Sequence, residues 1–254
     1  MAAEPIIQVR NLTAGYGRTV ILRDISFDVR AGEVFTILGG SGSGKSTLLK
    51  HMIGLKQPLG GSILIDGTDI VTAQGPEQLA VLRKIGVAYQ SGALFGSMTI
   101  LSNIALVLEE FTDLPREAIE VIAQMKLRAV GLQAAAYKMP AELSGGMRKR
   151  AAIARALALD PKILFLDEPS AGLDPITSAQ LDELILELSR SLGVTFVIVT
   201  HELPSIFAVA DRAIMVDKET RTIIADGRPQ ELRDRSEHPM VRQFFRRRAE
   251  KGNA

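Results

Sequence analysis

The chain has no cysteine. Disulfides, thiol nucleophiles and cysteine metal sites are therefore excluded, and the composition fits a reducing compartment. It also has no long apolar run. No window approaches the roughly 18 apolar residues of a membrane-spanning helix, and Val194 to Val199 has only the length of a buried strand. Any membrane role is therefore expected to come through partners. Nor is there an excess of charge: 30 basic against 29 acidic side chains leave a formal net charge of +1. That balance argues against nucleic acid as a partner. The first residues, Met1 to Leu12, include Glu4 and Arg10 and do not read as a signal peptide. Internal repeats and low-complexity linkers are absent as well.

What is present is ample core material, since 46% of 254 residues are hydrophobic. That length suits one large α/β domain or two small ones. Ile6 to Val9 and Ile25 to Val29 mix apolar and polar residues as half-buried strands do. Val34 to Leu38 is a nearly continuous apolar run, expected of a core strand. A helix is predicted from Lys45 to about Leu55, and a strand at Ser62 to Gly67 ending in a turn. From about Ser91 to Leu159 the periodicity turns helical, at Val107 to Glu110, Pro115 to Val130 and Ser144 to Leu159. Strands then return at Ile163 to Asp167, Val194 to Val199, Arg212 to Val216 and Thr222 to Ala225, with helices at Ser178 to Ser191 and Glu202 to Ala210. Strands alternating with helices predict a mostly parallel sheet covered on both faces.

Between the Val34 strand and the Lys45 helix lies Gly39-Gly40-Ser41-Gly42-Ser43-Gly44-Lys45-Ser46-Thr47. It matches G-x-x-x-x-G-K-[ST] in the context that gives the motif meaning. The glycines let backbone N–H groups curl around phosphate oxygens. Lys45 brings positive charge to the β- and γ-phosphates, and Ser46 offers a hydroxyl to Mg²⁺. Ile163 to Glu168 is an apolar strand ending in two carboxylates. Its carboxyl end is where ligands bind in open α/β sheets. Asp167 is there to hold Mg²⁺, directly or through water, and Glu168 to orient or deprotonate an attacking water. Leu143-Ser144-Gly145-Gly146-Met147 adds a second glycine-rich helix start, with free N–H groups and the positive end of a helix dipole.

With these motifs in this order, nearly the whole chain resembles the nucleotide-binding subunit of an ABC transporter. The resemblance implies a P-loop core with a mostly parallel sheet, an N-terminal antiparallel β-subdomain and an inserted α-helical subdomain. It sets the nucleotide-binding domain at 1–240, with the helical part at about 91–160 and a basic tail at 241–254. ATP and Mg²⁺ are the implied ligands. The run at Leu143 to Met147 resembles the family signature L-S-G-G-Q, which contacts ATP held by the other subunit of a dimer. Tyr16 matches the aromatic that stacks on adenine, and Gln90 the glutamine that senses Mg²⁺ and the attacking water. Asp174, in Ala171-Gly172-Leu173-Asp174, matches the loop that crosses between subunits, and His201 the switch histidine on the γ-phosphate. Outside that context Tyr16 is an ordinary core cover and His201 an ordinary capping residue. His51 and His238 match no motif and read as structural or solvated.

Met147 departs from the signature's glutamine. A thioether is a weak acceptor and suits helix packing. One P-loop and one signature in the chain imply a homodimer with two shared sites.

Gln90 to Phe95, Leu143 to Arg150, Asp174 to Thr177 and Val241 to Phe244 together resemble ATPases that serve MCE-domain proteins. That group moves phospholipids or other hydrophobic molecules across the bacterial envelope. The implied partners are a multi-span permease, an MCE-domain protein and a small STAS-domain subunit, at the cytoplasmic face of the inner membrane. Two alternatives stay open: an importer ATPase for a polar solute such as an amino acid or anion, and a soluble ABC-type ATPase. Arg246, Arg247, Arg248 and Lys251 read either as a docking or headgroup-binding cluster or as a solvated tail.

Overall fold

A computed structural model describes residues 5–246. Its centre is a sheet built on three strongly apolar runs of the sequence: β3 (Val34–Leu38), β7 (Ile163–Asp167) and β8 (Thr195–Val199). With β6 (Ile85–Ala88), β9 (Arg212–Val216) and β10 (Ile223–Gly227) they form six strands in the order β10-β9-β3-β8-β7-β6. All neighbours are parallel except β10 and β9, which run antiparallel.

Alternate residues of these strands enter two different cores, as a period of two requires. Val34, Leu164, Leu166, Phe196 and Ile198 face one side. There they meet α3 (Ile100–Phe111), α4 (Arg116–Ala129), α5 (Gly145–Ala156) and α6 (Pro175–Leu192). Phe35, Ile37, Ile163, Phe165, Val197 and Val199 face the other, against α1 (Lys45–Met52) and a second sheet. That sheet is antiparallel, in the order β2-β1-β4-β5, from β1 (Pro5–Tyr16), β2 (Thr19–Arg30), β4 (Gly60–Ile65) and β5 (Thr68–Asp69). Phe27 and Phe35 stack with ring centres 5.3 Å apart and join the two sheets.

The sequence expectations at Ile6 to Val9 and Ile25 to Val29 are pieces of much longer strands, 12 residues each. Among the elements with no counterpart in those expectations are α2 (Gly75–Leu82), β6 and the first half of α3. α7 (Leu203–Val209), between β8 and β9, joins α8 (Pro229–Arg235) and α9 (Pro239–Arg246), which follow β10, in closing a third apolar cluster. In α9, Val241 and Phe245 are buried, so the first residues of the 241–254 segment are helix packed on the core. Arg247, Arg248 and Lys251 lie outside the described residues.

Candidate active site

The carboxyl ends of β3, β6, β7 and β8 gather the candidate residues. β3 runs into Gly39, whose φ of 152° and crowding exclude a side chain: a β-carbon there would stand 2.5 Å from Ser43 Oγ and from the Val216 carbonyl. Gly40, Ser41 and Gly42 are exposed, Ser43 is buried and Gly44 caps α1 in a left-handed conformation. The chain thus turns sharply onto the start of α1, where unpaired N–H groups and the helix dipole favour an anion. Lys45 Nζ donates to the carbonyls of Gly39 and Gly40 at 2.9 and 3.0 Å, which folds the lysine back over the loop. Burial lowers its pKa, and the carboxylates of Glu168 and Asp167 act in the opposite direction. Ser46 is exposed on the first turn, and Thr47 shares a 3.3 Å hydrogen bond with the Tyr16 hydroxyl. Tyr16 itself ends β1 and is 41% exposed, so it stands beside the loop rather than in the core.

Asp167 is the last residue of β7. Burial and then the neighbouring Glu168 raise its pKa, while Lys50, Lys45 and Lys149 pull it down. Its Oδ1 is buried without a hydrogen-bond partner. Glu168 follows at φ 48°, an uncommon conformation for a residue with a side chain. Its Oε1 meets His201 Nδ1 at 2.8 Å, and its Oε2 is buried with no partner. His201 reaches it from the turn after β8 and is exposed, with Nε2 3.7 Å from Glu202. Gln90 is exposed in the turn after β6, and its carbonyl accepts from Lys149 Nζ at 2.6 Å.

The orphan oxygen of Asp167, with the Ser46 hydroxyl, makes a hard-oxygen donor set. Mg²⁺ uses such a set when phosphates and waters complete its shell.

Ser144 is the N-cap of α5 and accepts from the Met147 N–H at 3.3 Å. Gly145 packs toward Leu173, and Gly146 is buried against Thr177. Met147 is half-buried and packs on the helical core, as its thioether suggests. Asp174 caps α6, accepting from Ile176 and Thr177 N–H groups at 3.0 Å each, and from the Thr177 hydroxyl at 2.6 Å. Those bonds, the Thr177 hydroxyl foremost, lower its pKa. Within one chain the structure therefore joins Lys45, Asp167, Glu168 and His201 into one cluster. It joins Ser144 to Met147 with Asp174 into another. Sequence reasoning missed the capping role of Asp174, and it missed Lys149 altogether. His51 is buried in α1 with Nδ1 2.7 Å from the Thr47 carbonyl, and His238 is half-buried just before α9.

Residues 22–171 match the family model described as ABC transporter. The chain belongs to the ABC transporter family. It is an ATPase of that family, with ATP and Mg²⁺ as its ligands. The cassette is 42% identical over 241 residues to the intermembrane phospholipid transport system ATP-binding protein MlaF of Escherichia coli, covering 94% of this chain and 88% of that protein. It is 44% identical over 239 residues to the probable ribonucleotide transport ATP-binding protein Mkl of Mycobacterium leprae, covering 94% of this chain and 68% of that protein. Among solved structures, cbiO1 from Clostridium perfringens, part of the transporter complex cbiONQ, superposes with a TM-score of 0.82 at 32% identity, covering 90% of each chain. The ATP-binding cassette MJ0796, solved as a dimer in a post-hydrolysis state bound to ADP and Pi, gives 0.78 at 30% identity, covering 87% of this chain and 98% of that one. Among the described residues of the cassette, no helix is long and apolar enough to cross a membrane.

Proposed function

We propose that this chain is the ATP-hydrolysing subunit of a transporter that moves phospholipids across the bacterial envelope. In that reading it works as a homodimer on the cytoplasmic face of the inner membrane, bound to permease subunits, an MCE-domain protein and a STAS-domain subunit. The similarity to MlaF over 88% of its length supports the lipid reading. The similarity to Mkl, a probable ribonucleotide transport ATP-binding protein, favours a second one, a polar ribonucleotide cargo, and this chain spans about two thirds of that relative.

The observation that carries the catalytic reading is the division of labour in the Glu168 carboxylate. One oxygen is engaged by His201 and the other is buried and unengaged. A carboxylate held at one oxygen and open at the other is oriented to take a proton from a water attacking the γ-phosphate. Gly39 to Thr47 cradle the phosphates, and Lys45 supplies their countercharge. Tyr16 stacks on the base. Ser46, Asp167 and Gln90 would hold Mg²⁺, which would supply charge neutralisation to the bound phosphates. Ser144, Gly145, Gly146 and Met147 form an N-terminus that reaches the partner's γ-phosphate, and the Asp174 loop crosses between subunits. The domain proposal keeps 1–240 as the nucleotide-binding unit, with 91–160 as its helical part.

The test is Glu168→Gln. ATP binding should persist while turnover nearly vanishes and an ATP-bound dimer accumulates. Normal turnover would sink the assignment. For the cargo, ATPase of the complex with its permease should respond to phospholipid in the bilayer and not to free ribonucleotides; the reverse response favours the second reading.

A further inference from the structure

One side chain joins three pieces of this site that the sequence keeps far apart. Lys149, half-buried one turn into α5, donates from Nζ to the Gln90 carbonyl at 2.6 Å and to the Glu168 carbonyl at 3.0 Å. The Glu168 carbonyl also accepts from the Ala171 N–H at 3.2 Å, and the Glu168 N–H is tied to the Val199 carbonyl at 2.8 Å. Both sides of the Glu168 peptide backbone are therefore pinned. Its φ of 48° needs such pinning, because a residue with a β-carbon holds the left-handed region only when its surroundings over-determine it.

The same helix grips the rest of the Gln90 turn. Arg155 donates to the carbonyls of Ala93 at 2.7 Å and Gly92 at 3.1 Å and lies over the Phe95 ring. From α3, buried Asn103 donates to the carbonyls of Phe95, Met98 and Thr99. The turn is thus tied to α5 and α3, and Lys149 extends that connection to the β7 end. Burial lowers the Lys149 pKa, but Glu168 and Asp167 both favour its charged form. A charged donor to two carbonyls outweighs a neutral one.

We propose that Lys149 is a positioning residue for hydrolysis: it holds the Glu168 main chain in its left-handed conformation and registers it to the Gln90 turn and to the signature helix. This rests on the reading of Glu168 as the carboxylate that activates water. The consequence is mechanical. The carboxylate is correctly set only while the Ser144 end of α5 stands where Lys149 can span both carbonyls, so docking of that helix end and readiness of Glu168 are one event.

The test compares Lys149→Met, which keeps the stem and removes every donor, with Lys149→Arg, in the full chain with Mg-ATP. The Met variant should lose kcat by about tenfold or more, as a sub-ångström to ångström misplacement of a catalytic group does. Its KM for ATP should stay within about threefold of the parent, since uniform binding is not what was removed. The Arg variant should recover most of the loss. An unchanged kcat in Lys149→Met overturns the inference, and so does a loss shared by KM or left unrescued by Arg, the mark of a merely structural residue. Lys149→Leu, which also removes every donor, is read against the same outcomes should the Met chain not fold. Glu168→Gln run alongside separates the two ideas. If it turns over normally, the reading of Glu168 fails; if it is inactive while Lys149→Met is normal, only the lysine's role fails.

Discussion

A β-carbon placed on Gly146 would stand 2.4 Å from the Thr177 methyl. Thr177 cannot easily give way. It is β-branched, stiff at χ1, and its hydroxyl donates to Asp174 at 2.6 Å. The start of α5 and the cap of α6 are thus in direct contact, joined through a glycine. Gly146→Ala should therefore destabilise the chain by about 1–3 kcal/mol, the range for overpacking a close contact. Thr177→Ser removes the methyl and keeps the hydroxyl, so the double variant should recover much of that loss. A chemical-denaturation cycle of the four chains checks this, and additive effects of the two changes would refute it.

The second prediction concerns pH. Asp182 is buried on α6 beside Ser205, and burial pushes its pKa from 3.8 to about 6, with the Ser205 hydrogen bond acting weakly the other way. It lies in a groove of about 400 Å³ whose lining also holds Glu183 and Glu202 and includes no basic residue. The folded chain holds this proton more tightly than the unfolded chain. Between roughly pH 4 and 6 the folded state therefore carries more protons at this site, and stability falls as pH rises. Above about pH 6 the ionised carboxylate costs up to about 3 kcal/mol. Asp182→Asn should match the parent near pH 4 and exceed it in stability near pH 7.5. A stability difference that does not change with pH would contradict this.

Much of the fold is legible in the sequence because β3, β7 and β8 are buried on both faces and so read as unbroken apolar runs. Ile85-Gly86-Val87-Ala88 is the edge strand of the same sheet, with only Gly86 and Ala88 buried. It leaves no such run, and nothing local marks it. α9 escapes for a related reason: Val241 and Phe245 are one helical turn apart in a basic context, and their burial depends on Phe207 and Leu38 from distant elements. At the site, motif residues such as Lys45 and Asp167 are visible because fixed spacing encodes them. Lys149 sits inside Arg148-Lys149-Arg150, where a basic run reads as a solvated face. Its role depends on two main-chain carbonyls 59 and 19 residues away in sequence.

A third prediction separates the two ends of the signature run. Ser144→Ala removes the oxygen that accepts from the Met147 N–H and should cost about 1 kcal/mol as a lost N-cap. It should also reduce ATP hydrolysis, because the proposed trans contact loses its hydroxyl. Met147→Gln instead puts an amide where a thioether packs half-buried on the helical core. Its expected cost is about 1 kcal/mol of stability, with ATPase rate within about threefold of the parent. Steady-state ATPase and thermal unfolding measured together on both variants decide the matter. A Met147→Gln chain with sharply altered turnover would mean that position 147 takes part in the chemistry.

The last prediction tests whether the C-terminal helix supports the nucleotide site from behind. Phe245 is 5% exposed and its ring lies 5.7 Å from that of Phe207 on α7, with Arg233 over the other ring at 5.2 Å. The same cluster includes Leu38, the residue immediately before Gly39. Phe245→Ala should cost about 3 kcal/mol or more if the whole domain registers the cavity. A short terminal helix can instead detach, which caps the loss and appears as local opening. Either way the Leu38 end of β3 loses support, so the expected signature is a raised KM for ATP with kcat little changed. Trypsin should cut the variant after Arg235 or Arg242 under conditions that leave the parent intact, and saturating Mg-ATP should slow that cleavage. Cleavage indifferent to nucleotide would show that α9 and the phosphate loop are energetically independent.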